Sequence, residues 1–355
     1  MHVIARNSTF AYKGKAVDVK QIGRELGVRY VLEGSVRKAA NRVRVTSQLV
    51  DATSGAHIWA DRFDRDLTDI FAVQDGLTLE IISALKVKLT PEKRDRLARK
   101  GTIDEEAYDL FLRGREQAWL NTKSSNVEAR NLLGCAITIS PGFAAAYALI
   151  AYTHAVDYAN GWGENPERSL QTSLEIAGLA VQLNDEDPEA HVDFAVALAW
   201  DREHDRALAE ARRSIALAPN FARGHLIVAR ILTFGGDAAA AINAIDACMR
   251  FDPLYRDITL HYLAEARVSL GQFDAAVAVL KQRLERNPNA QTSLALLANC
   301  YGHLGRIAEA RAAWAEVMRI APNFSIEWQR RVLPYEKPSD FERRVEGLRK
   351  ANISA

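Results

Sequence analysis

Five prolines recur at a nearly constant interval through the second half of the chain. They are Pro188, Pro219, Pro253, Pro288 and Pro322, and the steps between them are 31, 34, 35 and 34 residues. A period of this length is the size of one helix–turn–helix unit. Each proline closes a unit, because proline cannot donate the next helical hydrogen bond. The period therefore predicts a stack of helix pairs in which each pair buries its apolar side against its neighbours.

Small residues recur at fixed places within each unit. Those on the first helix are Ala195, Ala229, Ala264 and Ala298, and those on the second are Ala207, Ala241, Ala276 and Ala310. A methyl side chain at a crossing lets two helix axes approach to about 8–10 Å. Gly236, Gly271 and Gly305 are predicted to end the first helices, since glycine readily takes the left-handed conformation that stops a helix.

These prolines, alanines and glycines resemble the tetratricopeptide repeat over about two thirds of the chain. Two earlier units, over about 106–141 and 143–188, fit the same pattern, and the second has a longer turn at 158–166. The resemblance implies an all-α solenoid of about six helical pairs over 106–336. It also implies a capping helix within 337–355 that covers the open end of the stack.

The first ninety residues follow a different period. Two-residue alternation predicts strands over 28–37, 41–51 and 56–63, joined by short turns into an antiparallel meander. In the middle strand Val43, Val45 and Leu49 fall on one side and Arg44 on the other, so one face is expected to be buried and one wet. Helices are predicted over 17–26 and 70–89. The fold class of the whole chain is therefore α+β.

Three runs in this region, over 4–12, 22–36 and 51–60, resemble the TolB-like amino-terminal domain. The resemblance implies a small α/β domain over 1–89 that is truncated at its start, followed by a helical linker over 90–105. In bacteria this module and tetratricopeptide repeats often form the carboxy-terminal half of signalling proteins. The preceding domain in such proteins is a class III adenylate cyclase or a winged-helix DNA-binding domain. A cyclase needs two metal-binding aspartates on that separate domain, and no segment of this sequence matches it.

The sequence predicts no catalytic residues, no metal site and no cofactor. It lacks a phosphate-binding loop, a His-Glu-x-x-His motif, a Cys-x-x-Cys motif and a Gly-x-Ser-x-Gly motif. Its eight histidines are scattered without ligand spacing. The three cysteines, Cys135, Cys248 and Cys300, are expected to be buried in helices, which mildly favours a reducing compartment.

Charge and hydropathy restrict the kinds of partner and the cellular location that are expected. The net charge of +1 gives no general attraction for nucleic acid, so no direct nucleic-acid partner is expected. No run approaches the roughly 18 consecutive apolar residues of a membrane span. The expected location is cytoplasmic, and the alternative is the periplasmic side of the inner membrane if the chain is part of a longer anchored protein. The oligomeric state is left open.

The first fifty residues hold ten lysines and arginines against three acidic residues. This excess fits a basic patch for an anionic partner. It also fits a surface that packs against an upstream segment.

The resemblance to tetratricopeptide repeats also assigns candidate contact residues, since the second, fifth, ninth and twelfth or thirteenth residues of each first helix line the inner surface. In this sequence those places hold Arg223, Arg230, His261, Tyr262, Glu265, Asn299 and His303. Side chains of this kind can bind carboxylate or main-chain groups of an extended peptide. The alternative is an ordinary wetted surface. Trp162, between two glycines in the long turn, is a further possible contact unless it folds back on the neighbouring helix.

Together these patterns predict a non-catalytic regulatory or scaffold module that binds a protein or peptide in bacterial signalling. Two alternatives stay open. The chain could be the regulatory portion of a class III adenylate cyclase whose catalytic domain is absent here, or the effector half of a transcription regulator without its DNA-binding domain.

Overall fold

The computed structural model describes residues 3–40, 42–66, 70–85 and 103–353. Two compact units follow one another in sequence, residues 1–108 and residues 109–355. Nowhere in the described ranges is a helix both long enough and apolar enough to cross a membrane.

Up to residue 85, the described residues of the first unit form three helices and a three-stranded sheet. In chain order these are α1 Arg6–Phe10, α2 Val19–Leu26, β1 Tyr30–Ala39, β2 Arg42–Asp51, β3 Ala56–Asp66 and α3 Ile70–Ala84. The strands pair antiparallel in the order β1-β2-β3, so the predicted meander is confirmed. α2 begins where the side chain of Asp18 accepts a hydrogen bond from the amide of Lys20, and it ends at Gly27 in the left-handed conformation.

The two faces of the sheet differ in burial, as the alternation predicts. Val43, Val45 and Leu49 are buried, whereas Arg44 is exposed and pairs with Asp64 across the sheet at 2.6 Å. Part of the basic excess of this region is thus paired within the sheet.

One end of the apolar face of the sheet is open. On the edge strand β1, Val36 stands opposite Val45 and Leu32 opposite Leu49, yet their exposed fractions are 68% and 46%. The described residues of this unit therefore leave the β1 end of the face uncovered.

The second unit is helical throughout its described elements. Helices that pair in sequence are α4 Glu105–Trp119 with α5 Lys123–Ile139, α6 Ala144–Asn160 with α7 Pro166–Leu183, α8 Pro188–Trp200 with α9 His204–Leu217, α10 Ala222–Phe234 with α11 Ala238–Phe251, α12 Ile258–Ser269 with α13 Phe273–Arg286, and α14 Gln291–His303 with α15 Ile307–Ile320. Two more helices follow, α16 Ile326–Val332 and α17 Pro338–Lys350. We call the first member of each pair a first helix.

Local sequence explains where these helices begin and end. α8 starts with Pro188 at its first turn, and the side chain of Asp187 caps it by accepting a hydrogen bond from the amide of Glu189. Gly236, Gly271 and Gly305 follow the first helices with φ of 86°, 72° and 72°, which confirms their predicted role as stop signals. That conformation is strained for any residue with a Cβ atom.

Alanine sets the spacing of the pairs. The eight alanines that recur in the sequence are all 0% exposed, from Ala195 and Ala207 to Ala298 and Ala310. Cys248 and Cys300 are buried among the helices as expected, but the prediction for Cys135 is wrong, because its side chain is exposed on α5. The pattern that marks a helix does not distinguish its apolar side from its solvent side at a single small residue.

The last helix does not take the place expected of a cap. Instead of covering the open end of the stack, α17 packs along α14 and also contacts α12, which are both first helices. Phe341, Val345 and Leu348 are buried there.

A pair of glycine substitutions tests the stop signals. Gly271→Ala should lower the free energy of unfolding by about 1–2 kcal/mol, because alanine is strained at φ of 72°. The matched change Gly134→Ala, within α5 and with nothing near a new Cβ atom, should raise it by up to about 1 kcal/mol. Urea unfolding followed by circular dichroism measures both. Equal effects of the two variants would contradict the assigned role of Gly271.

Candidate functional site

The first helices lie side by side over much of the second unit. α6 packs against α8, α8 against α10, α10 against α12, and α12 against α14. We call the surface that they share the first-helix face. The residues predicted to line the inner surface belong to its last three helices: Arg223 and Arg230 to α10, His261, Tyr262 and Glu265 to α12, and Asn299 and His303 to α14.

The chain's own C-terminal segment, residues 326–353, lies against this face. The indole Nε1 of Trp328, on α16, donates to the carbonyl of Ala159 near the end of α6 at 3.3 Å. Further on, the amide of Glu336 donates at 2.9 Å to the carbonyl of Phe234, the last residue of α10. α17 then packs on α12 and α14. The segment therefore meets the first helices one after another along the stack.

Arg202 fastens the middle of this segment. Its guanidinium donates to the carbonyls of Arg331, Leu333 and Tyr335 at 3.1, 3.2 and 3.2 Å. Arg202 follows α8 at the place where later first helices are followed by glycine, and it holds a φ of 65°. A non-glycine residue pays for that conformation. Here the cost places a guanidinium next to three carbonyls.

Asn299 binds the main chain of α17. Its Oδ1 accepts from the amide of Gly347 at 2.8 Å, and its Nδ2 donates to the carbonyl of Arg343 at 3.3 Å. In a helix these two groups are the donor and acceptor of a single i to i−4 hydrogen bond. The Nε2 of His303 donates to the same Arg343 carbonyl at 3.0 Å. Two of the predicted contact residues therefore recognise helical backbone.

Glycines let α17 approach this closely. A Cβ atom at Gly302 would lie 1.8 Å from the carbonyl oxygen of Gly347, and one at Gly347 would lie 1.9 Å from the carbonyl oxygen of Asn299. Any side chain at either place would force the two helices apart. The hydrogen bonds between Asn299 and α17 depend on this short distance between the two helices.

Glu265 supplies the charge that α17 requires. Its carboxylate is 3% exposed and pairs with Arg344, which is 8% exposed. Burial opposes ionisation, but Arg344, helped by His261 and Arg230, outweighs it and lowers the pKa of Glu265 to about 2. Burial lowers the pKa of His261, whose Nε2 lies 3.4 Å from the same carboxylate. Glu265 is therefore ionised at neutral pH beside a neutral histidine.

Arg230 is held by aromatic rings. Its guanidinium carbon lies 4.1 Å from the ring centroid of Trp200, 5.6 Å from that of Phe234 and 5.7 Å from that of Tyr262. The residue is 8% exposed, and its Nε has no hydrogen-bond partner among the described residues. Contacts between a cation and ring faces stabilise the charge.

A second cluster of arginines and rings joins Trp119, the last residue of α4, to this face through Tyr152, and we call it the Trp119 cluster. Arg223 pairs with the buried carboxylate of Asp193, and its guanidinium carbon lies 5.2 Å from the rings of Trp119 and Tyr152. The guanidinium of Arg256 also lies 5.2 Å from the Trp119 ring and donates to the Trp119 carbonyl. Arg256 is exposed, and Trp119 and Tyr152 are half-buried. This part of the face is reachable from solvent.

Three of the predicted contact residues, Glu265, Asn299 and His303, contact α17. His261 lies beside Glu265, and Arg230 lies beside Tyr262. Arg223 belongs to the Trp119 cluster. That any of them binds a separate partner stays a prediction. Trp162 is half-buried and its amide donates to the Asp157 carbonyl at 3.0 Å, and its role as a contact also stays a prediction.

Sequence reasoning missed the residues that position the C-terminal segment on the first-helix face. Gly302, in the last turns of α14, was not singled out, although glycine inside a helix is unfavourable by roughly 0.5–1 kcal/mol and so marks a close approach. Gly347 carries the same signal on α17. Arg202, Arg256 and Arg344 carry no local signal, because charged residues are common on helix surfaces.

Within residues 3–40, 42–66, 70–85 and 103–353, no three His, Cys, Asp or Glu side chains lie close enough together to hold a metal ion.

Comparison with known proteins agrees with the helical architecture. The family model described as Tetratricopeptide repeat matches residues 268–330, which cover parts of α12 to α16. Residues 268–330 are thus similar to tetratricopeptide repeats. This chain also superposes on a chain of the crystal structure of the APC/C hetero-tetramer Cut9-Hcn1, with a TM-score of 0.50 and 17% identity, covering 76% of this chain and 54% of that one. At this identity the likeness concerns the fold alone.

Two further relatives are similar in part. Over 207 residues the chain is 46% identical to the Rhizobium meliloti (strain 1021) protein named "Putative adenylate cyclase 3". The match covers 58% of this chain and 35% of that protein, so the chain spans about a third of its relative. The crystal structure of YrrB, titled as a tetratricopeptide protein with an unusual peptide-binding site, is 22% identical with a TM-score of 0.37, covering 51% of this chain and 93% of that one.

Acid should weaken the seating of α17 on the first-helix face. The pKa of Glu265 in the folded chain, about 2, lies below its ordinary value of 4.5, so its contribution to stability is present above pH 4.5 and lost as the pH falls towards 2. That contribution is on the order of 3 kcal/mol. Because the loss is complete only below pH 2, urea unfolding between pH 3 and pH 7 should show about 2 kcal/mol of it in the wild type and a smaller loss in Glu265→Gln. The control Glu285→Gln, at an exposed site on α13, should follow the wild type. If both variants follow the wild type, Glu265 does not have the assigned ionisation.

Proposed function

We propose that this chain is a non-catalytic module that binds a protein or peptide on its first-helix face, as part of a bacterial signalling protein. The contacts of Asn299 carry the proposal, because its amide pairs with the main chain of a segment lying on that face. Binding of main chain by side chains is what peptide recognition requires. In this structure the recognised segment is the chain's own.

The finer organisation belongs to the same proposal. The helices from α4 to α15 fit six tetratricopeptide units, and the domain limits inferred from the sequence, 106–336 for the repeats and 337–355 for the last helix and tail, describe them. The first unit fits a TolB-like domain over 1–89, followed by a linker over 90–105. Its antiparallel sheet β1-β2-β3 supports that assignment.

The Trp119 cluster is the part of the face best suited to an outside partner. It offers half-buried aromatic rings beside the exposed guanidinium of Arg256. Tryptophan, tyrosine and arginine are the residues that most often dominate binding energy at interfaces. A partner that brings a carboxylate or a main-chain carbonyl would find donors here.

Loss of the cluster should weaken partner capture. With the chain immobilised and exposed to lysate of the bacterium that encodes it, Trp119→Ala and Arg256→Ala should each lower the captured amount of a specific protein at least tenfold. Lys281→Ala, at an exposed site on the second helix α13, is the matched control and should capture as the wild type does. Thermal unfolding shows whether each variant is folded. Capture that is equal in all folded variants would contradict binding at this face.

A second candidate function is regulation of an adenylate cyclase, which the name of the Rhizobium meliloti relative favours. The class III catalytic domain would then precede these residues or lie on another chain. The direct experiment replaces the matching region of that relative with this chain and measures formation of cyclic AMP from ATP. A rate that differs from that of the relative lacking the region would support regulation, and an identical rate would argue against it. This chain alone should form no cyclic AMP in the same assay.

A further inference from the structure

The contacts that hold α17 are those that a separate helix could make. They consist of a buried ion pair between Arg344 and Glu265, the amide of Asn299 on the main chain of the helix, and the contact of Gly347 with Gly302. None of the three uses the covalent link between α17 and the rest of the chain. The face over α12 and α14, together with Arg330 and Tyr335 of the preceding segment, which contact Phe341 and Glu342, thus forms a binding site for a helix.

Sequence features of α17 define what this site accepts. Phe341, Val345 and Leu348 stand at intervals of four and three residues, which places them on one side of the helix, and all three are buried. Arg344 and Gly347 lie between them in the sequence and meet Glu265 and Gly302. The outward side carries Glu346 and Arg349, which are exposed. The required pattern is an amphipathic helix with an arginine three residues before a glycine, flanked by apolar residues.

The charge of the site adds a second requirement. Glu265 is 3% exposed, and a buried carboxylate without a cation is strongly unfavourable. A helix that replaced α17 would have to bring a cation to the same place. This excludes acidic and purely apolar helices.

We propose that the face over α12 and α14 binds a helix of this pattern from a partner protein, and that α17 is an intramolecular competitor which keeps the site closed. The proposal rests on the proposed function, for which it names the class of partner. Because α17 is tethered, it competes at an effective concentration on the order of millimolar. A partner helix therefore binds weakly to the resting chain and tightly once α17 is displaced.

The hydrogen bonds of the residues before α17 allow α17 to leave the face by itself. Arg202 holds the carbonyls of residues up to Tyr335, and the Glu336 amide bonds to Phe234. α17 begins directly afterwards, at Pro338. Its departure leaves those bonds in place.

The experiment uses the full chain and a fluorescent synthetic peptide of residues 336–353. Gly347→Leu in the chain keeps every residue of the site but cannot seat α17, because a Cβ atom there would meet the Asn299 carbonyl at 1.9 Å. Fluorescence anisotropy should show the wild-type peptide binding this variant at least tenfold more tightly than it binds the wild-type chain. The peptide with Arg344→Gln should bind at least tenfold more weakly, and the peptide with Arg349→Gln, which changes an exposed arginine, should bind as the wild-type peptide does.

Several results would overturn the inference. One is a folded Gly347→Leu chain that binds no peptide, and another is equal binding of the two arginine variants of the peptide. If Gly347→Leu does not fold, the wild-type chain is cut at a protease site inserted after the exposed Lys337, directly before α17, and mixed with excess labelled peptide. Exchange of the labelled peptide into the cut chain supports the proposal, and its absence shows that α17 is a fixed part of the core.

The remaining outcomes separate this inference from the proposed function and from a second copy of the chain. A wild-type dimer in sedimentation that Gly347→Leu converts to a monomer would identify the occupant as α17 of another copy and overturn the assignment to a partner. Protein capture through Trp119 and Arg256 without peptide binding would remove this inference alone. Peptide binding without such capture would remove the Trp119 cluster from the proposed function and leave this site standing.

Discussion

The contact between Gly302 and Gly347 governs the arrangement at the end of the chain. Two helices can approach so closely only where neither carries a side chain, and both glycines lie within helices where this residue is otherwise unfavourable. Once the helices are this near, the short side chain of Asn299 reaches the backbone of α17. The same separation brings Arg344 to Glu265, so that the buried carboxylate is compensated. The ion pair of Arg344 with Glu265 and the hydrogen bonds of Asn299 thus depend on the absence of a Cβ atom at Gly302 and Gly347.

The sequence period shows most of the residues that determine where the helices end and where they cross. Alanines at crossings and glycines at φ near 70–90° are local requirements, and each repeats from unit to unit, so a single sequence shows them several times over. The resemblance to tetratricopeptide repeats, and not the period alone, implied that Glu265, Asn299 and His303 would lie on one face. The two-residue alternation predicted the sheet for a similar reason, since neighbouring strands of a meander are also neighbours in sequence.

The sequence period cannot reveal a contact that occurs in only one unit. Glu265 and Arg344 are 79 residues apart and Arg256 and Trp119 are 137 apart, and neither pair recurs in another unit. α17 has the composition of a polar capping helix. Nothing in that composition reveals that the helix lies along α12 and α14. The exposed place of Cys135 is a smaller case of the same kind, because one residue has no period.

Cations on the first-helix face are held mainly by rings. Arg230 lies among Trp200, Phe234 and Tyr262, and Arg223 and Arg256 share the ring of Trp119. A guanidinium that stacks on a ring keeps its N–H edge available for hydrogen bonds. The face therefore combines apolar area with hydrogen-bond donors, and Arg223 in addition pairs with the Asp193 carboxylate.

Arg202 has a consequence for the reach of the chain's end. Because its guanidinium holds carbonyls as far as Tyr335 and the Glu336 amide stays bonded to Phe234, a detached α17 remains tied there and moves on a tether that begins at residue 337. The seventeen residues 337–353 can extend to at most about 60 Å. An end anchored in this way searches a small volume around its own binding site. Rebinding after each excursion is then fast, and the strained backbone of one arginine determines the radius of the search.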